Sequence, residues 1–208
     1  MSRFVGVVLA GGLARRMGGG DKGLVTLHGR PILDHVLERL RPQVDRIVIN
    51  ANGDPGRLAA YDLPIVADAV EGFAGPLAGV LAGMQWAAQN DAEWIVTAAT
   101  DTPFFPRDLV DRFRQAVADK SADMACAASG GRHHPVFGLW PVALRDDLSR
   151  AMTADGVRKV DLWTARHRIA VAEFADRPYD PFFNVNRPED VAEAERIAHD
   201  HIPSEPRP

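Results

Sequence analysis

An apolar run that stops at glycines and passes at once into basic side chains constrains this chain most: Val7 to Gly23 reads VVLAGGLARRMGGGDKG. A short continuous apolar run ended by glycine reads as a buried strand of a parallel sheet, with the glycines forming the loop that it delivers. Glycine tolerates positive φ and close backbone approach, so successive exposed N–H groups there make a concavity for anions. Arg15, Arg16 and Lys22 add full charges beside it. Guanidinium suits bidentate contact with phosphate oxygens, and an ammonium acts as a point charge. The expected guest is a polyphosphate. Neither of the two best-known phosphate loops fits, because Lys22 stands between Asp21 and Gly23 and no GxGxxG follows the strand.

The rest of the chain reads as one α/β unit. At 208 residues it is sized for a single domain, residues 1–200, with a flexible tail at 201–208 that holds three prolines. A net charge of −4 gives no general attraction for nucleic acid, so the positive charge belongs to the site. Cys126 is the one cysteine and lies in an apolar run, which predicts a buried structural thiol and no intramolecular disulfide. No stretch approaches the roughly 18 apolar residues of a membrane span and no signal peptide is apparent, so a cytoplasmic location without membrane contact is expected.

Strand and helix patterns alternate through the first half. Strands are predicted at Phe4 to Ala10, Arg46 to Ala51, Ile65 to Ala67 and Trp94 to Ala99, and helices at Pro31 to Leu40, Pro76 to Ala88 and Pro106 to Ala118. This is the signature of βαβ units in a mostly parallel, doubly wound sheet. In the second half, Asp123 to Ala128 and Val136 to Trp140 read as strands around Ser129 to Pro135, which forms either an antiparallel excursion or a long loop. Pro141 to Met152, Val157 to Ala165 and Pro188 to His199 read as helices, and Ile169 to Phe174 as extended.

Open parallel sheets bind ligands at the carboxyl ends of their strands. That rule gathers Leu9, Ala10, Gly11 and Gly12 from the first strand with Asn50, Asp68 and Asp101 from the next three. Asp101 follows the apolar strand directly and suits magnesium, which takes one or two carboxylates together with phosphate oxygens and waters. Its alternative reading is an N-cap for the next helix. Asn50 and Asp68 can read a base or ribose, or can act as turn and cap residues. GPLAG, with Gly79, places small residues at a helix N-terminus. Asn186 alone reads most simply as a cap for the Pro188 helix. His133 and His134 are adjacent, so their side chains diverge, and a substrate-facing loop is favoured over zinc.

LAGG, ARRMGG, DKG, GRPIL, INAN, GPLAG, DTP, HPVF and FFNVNRPED occur here in the order and spacing of the molybdenum cofactor guanylyltransferases, a resemblance spanning about residues 4 to 195. It implies a Rossmann-like three-layer αβα nucleotidyltransferase fold. The implied reaction is transfer of GMP from Mg-GTP to the terminal phosphate of the molybdenum cofactor (molybdopterin), releasing pyrophosphate. Carried onto this sequence, Leu9, Ala10, Gly11 and Gly12 contact the nucleotide and Lys22 and Arg16 meet phosphate. Asn50 and Asp68 hold the nucleoside, Gly79 lies near the guanine, and Asp101 binds GTP and Mg2+. Asn184 and Asn186 face the pterin, and Arg158 with Lys159 meets its phosphate or dithiolene end. Transient contacts with molybdenum-insertion proteins and apo-molybdoenzymes also follow.

The implied chemistry is in-line attack by a phosphate oxygen on the α-phosphorus of GTP. It requires neither a covalent intermediate nor a dedicated base, since a phosphomonoester is already largely ionised near neutral pH. No Ser/His/Asp or Cys/His nucleophile pattern is recognisable. The rival readings are a cytidylyltransferase on the same cofactor, a sugar-phosphate nucleotidyltransferase, and a non-catalytic nucleotide-binding protein that delivers the cofactor.

Overall fold

The computed structural model describes residues 3–10, 22–70 and 75–201. The first strand, β1 (Phe4–Leu9), is followed among these residues by a 3-10 turn at Lys22–Leu24 and a small hairpin, β2 (Thr26–Leu27) and β3 (Arg30–Pro31). Helix α1 (Ile32–Leu40), strand β4 (Arg46–Asn50), the two-residue strand β5 (Ile65–Val66), helix α2 (Pro76–Gln89) and strand β6 (Trp94–Ala99) complete the first half. The second half contains α3 (Leu109–Lys120), β7 (Met124–Ser129), β8 (Arg132–Pro141), α4 (Arg145–Thr153), α5 (Val160–Thr164), β9 (Ile169–Phe174) and α6 (Pro188–His201).

Seven strands form one sheet in the order β5-β4-β1-β6-β8-β7-β9. All pairings are parallel except those of β8, which runs antiparallel to both β6 and β7. The expected mostly parallel αβα architecture is what the chain forms. Side chains alternate across β1, so Val8 joins the core beneath α1, α3 and α6, while Val5 and Val7 join the core beneath α2, α4 and α5.

Helix starts differ from the sequence expectation for local reasons. Pro31 is the residue before α1, extended at φ −53° and ψ 143° because it pairs in the hairpin. The stretch from Pro106 reaches helical geometry only at Leu109, and the one from Pro141 first makes a 3-10 turn, Val142–Leu144, before α4. Val157 to Lys159 is not helical, and α5 starts only after Lys159, which is extended. At the other end of the chain α6 continues to His201, and the remainder of the expected tail lies outside the described residues.

The segment around residues 129–135 is a hairpin. Gly130 and Gly131, at φ 53° and 74°, make the two-residue turn that only residues tolerant of positive φ supply cheaply. The β7–β8 register then shifts between Cys126, opposite Gly138, and Ala127, opposite His134. Pro135 lies in this irregularity, where its missing N–H breaks no ladder bond. Thr97 of β6 stitches the bulge to the sheet: its hydroxyl donates to the Val136 carbonyl at 2.6 Å and accepts from Trp140 Nε1 at 2.8 Å. Cys126 is buried as expected, and desolvation pushes its thiol pKa up to about 11.

Thr97 and Trp140 are both fully buried, so Thr97→Val, nearly isosteric, strands the Trp140 N–H and removes the donor to the Val136 carbonyl. Urea unfolding of this variant is expected to show a loss of about 1–3 kcal/mol. A loss below a few tenths of a kcal/mol would mean that the bulge does not depend on this hydroxyl.

Candidate active site

The parallel strands β4, β1, β6, β7 and β9 all end along one edge of the sheet, and the reversed strand β8 brings its first residues to the same edge. The predicted site residues among those described gather there chiefly in two polar clusters. Both are built from residues far apart in sequence.

The first cluster surrounds Asp101, directly after β6. Lys22 opens the 3-10 turn that precedes the β2–β3 hairpin. Its neighbour Gly23 packs without a side chain against Thr100, which an added Cβ would approach at 3.5 Å. This contact brings Lys22 Nζ to 3.4 Å from Asp101 Oδ2, and the same ammonium donates a close hydrogen bond to Asn186 Oδ1. The lysine and aspartate side chains are 20% and 18% exposed, so the pair is sheltered yet open to a ligand. Thr102 Oγ1 donates to Asn184 Oδ1 at 2.7 Å, and Val185 N–H donates to the Asp101 carbonyl at 2.7 Å. Asn184 and Asn186 therefore reach the site as parts of one segment fastened to the end of β6.

These contacts correct two of the alternative readings. Asp101 caps no helix: the next one starts at Leu109 and Asp101 faces Lys22. Nor does Asn186 cap α6. The Asp190 carboxylate does, accepting the N–H groups of Asn186 and Arg187 at 2.8 and 2.9 Å, which leaves the Asn186 amide for Lys22.

The second cluster lies at the ends of β4 and β5. Asn50, 3% exposed, donates from Nδ2 to Asp68 Oδ1 at 3.0 Å and to the Val66 carbonyl at 3.3 Å. Asn52, which sequence reasoning missed, completes it by donating to Asp68 Oδ2 at 2.7 Å and accepting the Asp68 N–H at 2.9 Å. The signal was in INAN, where residues 50 and 52 share the period of an extended strand. Gly79 of α2 lies against this group. A Cβ there would come within 2.3 Å of Asn50 Oδ1 and 2.7 Å of Leu9 Cδ2, so the bare α-carbon is what lets the helix approach the strand ends.

Part of the Leu9 and Ala10 backbone is already committed to the sheet. The Leu9 carbonyl accepts the Thr100 N–H at 3.3 Å, and the Ala10 N–H donates to the Asn50 carbonyl at 2.8 Å. Gly11, Gly12, Arg15 and Arg16 lie outside the described residues. Arg158 lies in the connection between α4 and α5. Its guanidinium donates to the Met152 and Val157 carbonyls at 3.0 Å each, and its own carbonyl lies beside Gly75 at the start of α2. His133 and His134 diverge as adjacent strand residues must, and the described residues contain no group of three His, Cys, Asp or Glu suited to a metal.

Asp101 alone nonetheless fits a divalent cation carried by a phosphate ligand. Its partners are loose: Lys22 lies at 3.4 Å from one oxygen and Thr102 Oγ1 at 3.3 Å from the other. Both oxygens keep lone pairs for an ion whose remaining ligands are phosphate and water.

The MobA-like NTP transferase domain model matches residues 6–170. The molybdenum cofactor guanylyltransferase of Rhodopseudomonas palustris (strain BisB5) is 59% identical over 194 residues, covering 92% of each chain. That of Nitrobacter hamburgensis is 55% identical over 195 residues, covering 93% of each. Among solved structures, molybdopterin-guanine dinucleotide biosynthesis protein A from Archaeoglobus fulgidus superposes with a TM-score of 0.73 at 25% identity, over 94% of this chain and 99% of its own.

Gly79→Ala is expected to push Asn50 off Asp68 and to lower the unfolding free energy by about 1–3 kcal/mol, the usual cost of overpacking. Denaturant unfolding together with the crystal structure of the variant checks this. An unmoved Asn50 with wild-type stability would remove close approach as the reason for a glycine there.

Proposed function

We propose that Lys22, Asp101 and Asn186 form the transfer centre of a chain that belongs to the MobA-like NTP transferase family and, within it, to the molybdenum cofactor guanylyltransferases. The chain moves GMP from GTP to the terminal phosphate of molybdopterin, releasing pyrophosphate. The observation that carries the assignment of the centre is the sheltered Lys22–Asp101 pair at the ligand edge of the sheet, 3.4 Å apart and held by residues from both halves of the chain.

Two polyanions must meet for this reaction, so the residues have to offset their repulsion and favour the charge that develops on the leaving pyrophosphate. Lys22 turns its ammonium from Asp101 to the phosphates of GTP, with Asn186 as the hinge that keeps Nζ in place. Arg16, Gly11 and Gly12, with the backbone of Leu9 and Ala10, complete the phosphate loop. Asn50 and Asp68 hold the nucleoside: the Asp68 carboxylate, oriented by Asn50 and Asn52, accepts from base or ribose N–H and O–H groups. Gly79 leaves room beside Asn50 and Leu9 on the side where the guanine would lie. Asp101 holds the divalent ion, which we assign as Mg2+ and which neutralises phosphate charge when bound.

The acceptor enters on the side of Asn184 and Asn186, with Arg158 and Lys159 at the outer rim as a guide for its phosphate. No helix among the described residues is long and apolar enough to cross a membrane. A cytoplasmic enzyme that passes its product to molybdenum-insertion proteins and apo-molybdoenzymes is the setting that this reading supports.

Pyrophosphate release is to be followed with GTP, CTP, ATP or UTP, with and without purified molybdenum cofactor, in Mg2+ or in chelator. Release is expected only with GTP, cofactor and metal together. Preference for CTP would reassign the base, and silence with competent cofactor would favour a delivery protein. Lys22→Ala and Asp101→Ala should each lower kcat by about a hundredfold or more. The fold should survive Asp101→Ala, since the bond to Val185 uses the Asp101 backbone carbonyl. A folded Asp101→Ala enzyme with wild-type turnover would remove the carboxylate from the mechanism.

A further inference from the structure

Farther along the ligand edge, three polar side chains that the transfer centre does not use form a chain of hydrogen bonds. Ser129 ends β7 and is 1% exposed, and its hydroxyl lies 2.7 Å from both His134 Nε2 and Asp180 Oδ1. A carboxylate only accepts, so the single hydroxyl proton goes to Asp180, and Ser129 oxygen in turn accepts from His134, whose proton must sit on Nε2. Direction is thus fixed along the chain, from His134 through Ser129 to Asp180. Burial holds the imidazole below its ordinary pKa, against the opposing pull of Asp180. Protonation would leave the Nε2 donor unchanged, so the chain of bonds is not itself a pH switch.

Asp180 begins the segment that delivers Asn184 and Asn186. The same carboxylate oxygen accepts the Phe182 N–H at 2.9 Å, and the His134 ring stacks on Phe182 at 4.5 Å and 22°. From Asp180 to Arg187 the chain has neither helix nor strand to hold it. One end is tied to the transfer centre through Val185, Asn184 and Asn186. The other is tied through Ser129 and His134. A segment without a ladder owes its position to such anchors, and directional bonds that meet at the buried Ser129 hydroxyl, with His134 and Asp180 half-buried on either side, narrow it to one arrangement.

We propose that the His134–Ser129–Asp180 relay is a positioning device for the second substrate, holding residues 180–186 so that Asn184 and Asn186 face an acceptor bearing a terminal phosphomonoester. This rests on the transfer reading given above. None of the three groups touches the reacting atoms; they act through the two asparagines. Because the nucleoside pocket of Asn50 and Asp68 is built on other strands, the relay reaches GTP only through the Asn186–Lys22 contact and should act chiefly on use of the acceptor.

The test separates the donor from the ring. His134→Gln keeps an amide N–H near the place of Nε2 and loses the stack, whereas His134→Phe keeps a stacking ring and loses the donor. Ser129→Ala interrupts the relay in the middle. Steady-state pyrophosphate release would be measured against purified molybdenum cofactor at saturating GTP, with GTP binding by calorimetry and thermal melting alongside. His134→Phe and Ser129→Ala are expected to raise KM for the cofactor about tenfold, as loss of roughly one positioning bond would, with the GTP Kd within twofold of wild type. His134→Gln is expected to stay within threefold on both counts. Wild-type cofactor KM in His134→Phe, an equal loss in His134→Gln, or a GTP Kd that weakens in parallel would overturn the relay. A wild-type protein that releases no pyrophosphate from GTP and cofactor would overturn the transfer reading first, and the inference with it.

Discussion

Asp101 is bonded through both its backbone and its side chain, and the geometry of the site depends on that division. Its backbone carbonyl takes the Val185 N–H at 2.7 Å, which fastens an otherwise irregular segment to the end of a buried strand. Its carboxylate meets Lys22 across a gap of 79 residues, and Lys22 in turn meets Asn186 across 164. The first bond is structural and independent of the side chain, so the second is free to change when a ligand arrives. A carboxylate asked to do both tasks would have to loosen the fold each time it was used.

The sheet explains why the second half of the chain can supply an acceptor side at all. Strands β5, β4, β1 and β6 give one set of carboxyl ends, and the nucleoside residues Asn50 and Asp68 lie there. Three further strands added parallel to these would place more loops at this edge but no hairpin. Reversing β8 puts the tight Gly130–Gly131 turn and the first residues of β8 at the ligand edge. His134 and Ser129 then meet across that hairpin and receive the segment from residue 180. The bulge opposite Cys126, held by Thr97 and Trp140, lets the reversed strand serve both neighbours with its side chains in register.

Much of this was legible in the sequence where the signal is local. Trp94 to Ala99 shows a strand by its apolar run, and the stripe of Ile32, Leu33, Val36, Leu37 and Leu40 shows a helix by its period; both elements form as read. Helix starts were less legible, because a proline permits a first turn without requiring it, and Pro106 and Pro141 begin turns instead. Single residues with two local uses could not be assigned from spacing. Asn186 has the pattern of a cap, yet Asp190, four residues on, takes that task and releases the amide to Lys22. Gly79 is placed near the guanine by resemblance, and its spacing does not show the further reason for a glycine, which is what a Cβ would strike. Contacts across more than a hundred residues are fixed by topology, and no local pattern records them.

The weakness of the Lys22–Asp101 pair is itself informative. At 3.4 Å it is longer than a charge-assisted hydrogen bond usually is, and it engages only one carboxylate oxygen, so it is loosely held. An ion pair kept for the fold would be shorter and bidentate, as Arg168 and Asp123 are at the far end of β7, where Nε and Nη2 engage the two carboxylate oxygens and hold the Asp123 pKa down to about 2. Lys22 gives up little when its ammonium turns toward phosphate, and Asp101 gives up little when it accepts a cation in exchange. The two charges screen one another in the resting protein, so neither is buried unpaired, and an incoming metal–polyphosphate supplies a matching partner to each. Low intrinsic worth, in a place where the backbone already secures the fold, is the property that lets this contact be exchanged at every turnover.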